Sequence, residues 1–195
     1  MTAMAVRATP FAGDPEQPFT VRDLEGMPDD GRRYELIDGM LVVSPAPGLR
    51  HQAVGYQLHH VLYEACPDDL FVVGAPFGVH FPDDEKNELQ PDVLVGRFDD
   101  FTERDLPAAP VLAVEVLSPS TAIHDVNTKR AVYERMGVPS YWVIDPEKPS
   151  MRVFELDDDG RYQVIAKIAD DEPFDAIKPF PVRIVLTDLL GRLAR

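Results

Sequence analysis

Gln90–Gly96 reads QPDVLVG, Ala109–Thr121 reads APVLAVEVLSPST, His124–Pro139 reads HDVNTKRAVYERMGVP and Ser140–Asp145 reads SYWVID. The order this predicts is strand, strand, helix, strand. From Ala109 to Ser118 the strand is apolar on both faces, as expected of a strand covered on both sides. Two carboxylates interrupt the pattern: Glu115 within that strand, and Asp92 directly before Val93, Leu94 and Val95. A lone buried carboxylate is costly, so each needs a partner. On neighbouring strands the two would repel unless a cation lay between them, and the hard-oxygen cation for such a pair is Mg²⁺ or Mn²⁺. At 100° per residue the following helix places Val126, Val132, Tyr133 and Met136 on one side, with Lys129 near its centre. Lys129 is thereby aimed at the sheet, and Arg130 faces away. Relieving the repulsion by Asp92→Asn is expected to raise stability in the absence of metal.

Outward from this stretch, Tyr34–Ile37 and Met40–Val43 flank Asp38-Gly39, a type I′ hairpin signal. Glu35, Ile37, Met40 and Val42 share one face of that hairpin, which puts Glu35 among apolar neighbours. The segment from Pro47 to Cys66 reads as a helix with Val54, Leu58, Val61, Leu62 and Ala65 as its stripe, and His51 lies on the same line. Phe71–Phe81 reads as one strand, and Asp83–Glu88 as a solvated turn. Ser118 and Ser120 read as a strand end and a helix cap. After Asp145-Pro146, MRVFEL and RYQVIAKI form an antiparallel pair around Asp157–Gly160, and PVRIVLTDLLGRL adds a strand and a helical turn. Residues 1–17 are small, Pro-rich and non-periodic and read as a disordered arm, with 18–195 a single domain.

The 195 residues, 45% of them hydrophobic, suffice for one sizeable core. A formal net charge of −15 discourages broad adhesion to nucleic acid or anionic membrane. The single cysteine, Cys66, excludes an intramolecular disulfide and suits a reducing cytoplasm, the expected location. No apolar run reaches membrane-spanning length. Walker, dinucleotide-glycine and zinc spacings are absent from the sequence.

YELIDGMLVVSPAPGLRHQ, QPDVLV, VEVLSPST and then K…Y…GVPSYWVIDP, in this order, resemble the Uma-type restriction endonuclease family of the PD-(D/E)XK nuclease superfamily, from about Phe19 to the C-terminus. The resemblance implies an α/β (α+β) protein with a restriction-endonuclease-like core: a mixed β-sheet flanked by helices, with an N-terminal hairpin and C-terminal β segments. It implies Asp92, Glu115 and the Val116 backbone carbonyl as ligands of Mg²⁺ or Mn²⁺. The superfamily's lysine stands two residues after the glutamate, where this chain has Leu117; in this branch it moves to the helix, which matches Lys129.

The expected activity is metal-dependent endonucleolytic hydrolysis of DNA. Lys129 would stabilise developing negative charge, Glu35 would assist at the metal, and His51 and Tyr133 would support. Small nucleases of this fold commonly pair, so a homodimer is expected, with Phe180–Leu193 as its surface. The rival class is a non-cleaving module that kept the fold and binds nucleic acid or a protein partner. The intact Asp92–Glu115–Lys129 set favours the first. The charge of −15 and the lack of a basic, aromatic-rich strip along the sequence favour the second.

Overall fold

The computed structural model describes residues 9–11, 18–118 and 124–194, with side chains over 18–118 and 127–194. Ser120 and the side chain of Val126 lie outside this range. Within the segment read as an arm, Thr9–Phe11 (β1) pairs with the hairpin described next. A short helix, α1 (Val21–Leu24), precedes that hairpin, β2 (Arg33–Ile37) and β3 (Met40–Ser44), and the long helix α2 (Leu49–Ala65) follows it. Then come β4 (Leu70–Gly74), β5 (Gly78–His80), β6 (Glu88–Leu89), β7 (Val93–Arg97) and β8 (Asp105–Leu106). The next elements, β9 (Leu112–Val116), α3 (His124–Arg135) and β10 (Ser140–Asp145), carry the stretch quoted first. The chain ends with β11 (Ser150–Leu156), β12 (Tyr162–Ala169), β13 (Phe174–Ala176), β14 (Val182–Ile184) and α4 (Leu186–Leu190).

A central sheet runs β12-β11-β10-β9-β7-β4, and a second runs β1-β3-β2-β6-β5-β8. Both are mixed: β9–β10 and β5–β8 are parallel among otherwise antiparallel pairs. The alternation along β9 separates two cores. Leu112, Val114 and Val116 join Val54, Leu58 and Leu62 of α2 and Leu186, Leu189 and Leu190 of α4. Ala113, on the opposite face, joins Val132, Tyr133 and Met136 of α3 and Ile37 and Val42 of the hairpin. The central sheet is therefore covered on both sides, as its apolar strands require.

Asp38 (φ 50°) and Gly39 (φ 77°) make the expected two-residue turn, pairing Glu35 with Val42 and Ile37 with Met40. Gly39 is needed twice over, since a Cβ there would sit 2.6 Å from the Pro18 Cβ. The loop read as solvated supports this turn. Asp38 N–H donates to Asn87 Oδ1 (2.8 Å) and Gly39 N–H to the Lys86 carbonyl (2.8 Å), and Asn87 is buried. Asn87→Ala is expected to lower stability by about 1–2 kcal/mol in a denaturant titration, because it orphans a backbone donor. An unchanged midpoint would show that the turn does not lean on Asn87.

Three expectations are corrected. The strand read from Phe71 to Phe81 is two strands in different sheets, split at Ala75-Pro76, where Pro76 has no N–H to continue a ladder. The apolar residues of Phe180–Leu193, offered as a dimer surface, are spent inside the chain: Phe180, Ile184, Leu186, Leu189 and Leu190 are all buried in the α2-side core. Ala65 falls off the α2 stripe and is exposed.

Candidate functional site

The register of β7 against β9 pairs Val93 with Val114, so one further step sets Asp92 opposite Glu115. Glu115 is in mid-sheet because Ala113 and Glu115 share the face that α3 covers. Lys129 and Tyr133, four residues apart on α3, both reach it. Lys129 Nζ lies 3.2 Å from each Glu115 oxygen, and Tyr133 OH donates to Glu115 Oε1 at 2.9 Å. The hairpin supplies Glu35 from the other side: Lys129 Nζ is 2.8 Å from Oε1 and 3.0 Å from Oε2, and Gln90 N–H donates to Oε1 at 2.8 Å. Glu35, Asp92, Glu115 and Lys129 are all buried.

Asp92 has its own set of partners. Arg33 Nη1 donates to Oδ1 at 2.6 Å, His51 Nε2 lies 3.2 Å from Oδ2, and Val116 N–H donates to Oδ2 at 2.7 Å. Asp92 and Glu115 do repel, since the Asp92 charge raises the Glu115 pKa, but neither is left without a partner in the chain. The chain gives each its own partners, with the Arg33 guanidinium and the His51 ring on Asp92, and Lys129 shared by Glu115 and Glu35. Asp92→Asn would break the Arg33 pair, so a gain in stability is no longer expected.

The two carboxyls titrate in opposite directions. Burial disfavours the Asp92 carboxylate, but the His51 hydrogen bond, the Arg33 charge and the Val116 N–H outweigh it and hold its pKa well below the usual range. Burial dominates at Glu115, and Asp92 and Glu35 add to it against Lys129, so its pKa is pushed up to about 8. At neutral pH this favours a proton on Glu115 while Asp92 stays ionised against Arg33.

Arg33 and Gln90 went unnoticed in the sequence reading. Arg33 shares a face with Glu35, two residues along the strand, but that spacing does not reveal Asp92 as its partner. Arg130, expected to face solvent, is partly buried with its guanidinium 5.4 Å from the centre of the Phe154 ring. Arg33 Nε and Gln90 Oε1 are buried without a partner among the described residues.

The donor set is the Asp92 and Glu115 carboxyls with Glu35 close by, the chemistry that suits Mg²⁺ or Mn²⁺. Among the described residues no group of three or more His, Cys, Asp or Glu is spaced to hold a metal without rearrangement. A cation would have to share Glu115 with Lys129.

A mixed central sheet flanked by helices makes this an α/β fold. A similar fold is seen in the crystal structure of "a putative nuclease belonging to DUF820" from Anabaena variabilis ATCC 29413. That structure has a TM-score of 0.69 and 20% identity, covering 90% of this chain and 99% of that one. Residues 21–187 match the Uma2 family, described as "Putative restriction endonuclease", and the chain belongs to that family. No curated protein matches the chain. Among the described residues no helix is long and apolar enough to cross a membrane.

Proposed function

We propose that the protein is a metal-dependent endonuclease that hydrolyses DNA phosphodiester bonds. The observation that carries this reading is the convergence of Asp92, Glu115, Glu35 and Lys129 from four separate elements into one buried polar cluster. Structural ion pairs rarely need three carboxyls, and perturbed groups of this kind gather at functional sites.

Asp92 and Glu115 would hold Mg²⁺ or Mn²⁺, with the Val116 carbonyl as a third oxygen; in a strand that carbonyl points to the same side as its own N–H, which already meets Asp92. A bound Mg²⁺ supplies charge that polarises a phosphate and acidifies water. The residues do the rest. Lys129 stabilises negative charge developing on the attacking or transferred oxygen, from a site dry enough to make that charge count. Tyr133 and Glu35 hold Glu115 and Lys129 in register. His51 and Arg33 keep Asp92 ionised and fixed.

A supercoiled plasmid incubated with Mn²⁺ should be nicked by the wild-type protein and left intact by Asp92→Ala, and calorimetric Mn²⁺ binding should be lost in the same variant. Equal Mn²⁺ affinity in both would remove the metal site. No cleavage and no Mn²⁺ binding would favour a non-cleaving module instead. That second reading draws on the full internal pairing of Asp92, whose two oxygens already have three partners.

A further inference from the structure

Asp92 and His51 line a cavity of about 500 Å³ whose lining does not include Lys129, Glu35 or Glu115. Its volume falls in the range of sites that take one small ligand. Gln52, Gly55, Tyr56 and His59 enter it from α2 at helical spacing, and Arg32 and Arg33 from the start of β2. Pro45, Pro47 and Pro76 supply apolar walls.

Two of these residues have no structural explanation. Tyr56 is 73% exposed, a large ring left in solvent at the cavity mouth. Gly55 lies in the middle of a 17-residue helix, where glycine costs about 1 kcal/mol relative to alanine. Close packing does not require it, because a Cβ there would meet no atom within 4 Å. What Gly55 does is keep the cavity floor low.

The cavity also differs in charge from the rest of the chain. In a protein of net charge −15, its lining carries Arg32 and Arg33 and two histidines. Arg32 Nε lies 3.3 Å from Asp30 Oδ2 and Arg33 is bound to Asp92, so a phosphate there would share each guanidinium with a carboxylate. The aromatic line continues along α2 from His59 to Tyr63 and on to Phe71 and Phe98, with ring centroids 5.9–6.5 Å apart. Beyond the cavity, however, exposed Glu64, Asp68, Asp69 and Asp99 accompany it and would repel phosphates. The cavity end is the one that adjoins Asp92.

We infer that this cavity is a subsite for one unstacked nucleotide of single-stranded DNA, with its base against Tyr56 and the proline walls and its phosphate toward Arg32 and Arg33. The inference rests on the nuclease reading for its substrate and narrows it. A cavity of this size admits one nucleotide and not a stacked base pair, so a duplex would first have to release a nucleotide, which costs unstacking and unpairing. Stacking supplies most of the affinity, and an aromatic platform of this kind tolerates any base. With only one or two phosphates neutralised, log K should fall with log salt at a slope of about −1.

The test is fluorescence anisotropy in EDTA, so that no cleavage intervenes. The probes are a labelled single strand of about 12 nucleotides, within the usual range of single-strand site sizes, and its duplex. The wild-type protein should bind the single strand at least about tenfold more tightly than the duplex, and Tyr56→Ala should weaken single-strand binding about tenfold. Gly55→Leu should fill the cavity, lose single-strand binding and keep or raise the melting temperature. Tyr63→Ala, on the acidic side, should bind normally. Equal affinity for duplex and single strand, unaltered binding by Gly55→Leu, or an equal loss in Tyr63→Ala would each overturn the subsite, and plasmid cleavage by the wild type would still stand. Selective binding as described, without Mn²⁺ binding or cleavage, would keep the subsite and remove the nuclease.

Discussion

Lys129→Met should reduce plasmid cleavage by about 10²–10³-fold, the usual loss when one buried donor to a developing anion is removed. It should also destabilise the metal-free protein by about 3–5 kcal/mol, the usual cost of removing one partner from a buried ion pair. The second effect comes from geometry that the helix pattern alone does not reveal. Lys129 Nζ contacts both Glu35 and Glu115, and all three are buried, so among the described residues methionine leaves Glu35 the Gln90 N–H and Glu115 the Tyr133 hydroxyl as hydrogen-bond partners. Mn²⁺ should then stabilise the variant more than the wild type, since it replaces a missing cation. Should Lys129→Met alone fail to fold, Glu35→Gln/Lys129→Met removes both charges and should recover most of the stability while remaining inactive. Lys129→Arg should not restore cleavage, because the guanidinium is bulkier and does not release a proton. Arg130→Met should cleave normally, its loss confined to contact with the Phe154 ring. Cleavage by the double variant, or its loss in Arg130→Met, would displace Lys129 from the mechanism.

The burial of Lys129 against Glu115 was legible in the sequence because an ammonium in the middle of an apolar helical stripe has to meet a buried partner. Asp92 and Glu115 were legible for the same reason, as charges in strands without alternation. The hairpin was legible from Asp38-Gly39, since few residue pairs accept positive φ twice in succession. Arg33 was not, because an arginine at the first position of a strand looks like any exposed end residue until the hairpin is folded onto β7 and Asp92 comes within 2.6 Å. The same limit explains Phe71–Phe81. Its residues favour strand throughout, and only the tertiary arrangement shows that Leu70–Gly74 pairs with β7 while Gly78–His80 pairs in the other sheet. Phe180–Leu193 looked like a spare apolar surface because a linear pattern does not say which copy of the chain will cover it. The cavity beside Asp92 had no linear signature either, since its walls come from the start of β2, α2 and the β4–β5 break.

Apparent Mn²⁺ affinity should rise about tenfold per pH unit from about pH 6 to about pH 8 and then level off. The cause is Glu115, whose pKa is pushed from 4.5 in an open chain to about 8 by burial, against the pull of Lys129. A metal ligand must be deprotonated, so below about pH 8 Mn²⁺ competes with that proton. Stability of the metal-free protein should move the other way. Between 4.5 and about 8 the folded state holds a proton that the unfolded chain has lost, so this contribution is complete below 4.5 and fades as pH rises through about 8. Asp92 does not disturb the window: its pKa is lowered from 3.8, so its contribution is already in place above that value and is lost only in strong acid. Glu115→Gln should therefore flatten the decline in stability between pH 5 and 8, and it should also remove Mn²⁺ binding. Proton release settles the matter directly. Calorimetry of Mn²⁺ binding at about pH 7, repeated in buffers of different ionisation enthalpy, should show about one proton released per metal, and at about pH 9 close to none. Binding without proton release at the lower pH would mean that Glu115 is already ionised in the apo protein. The proton assigned to Glu115 by its burial would then be removed from the site.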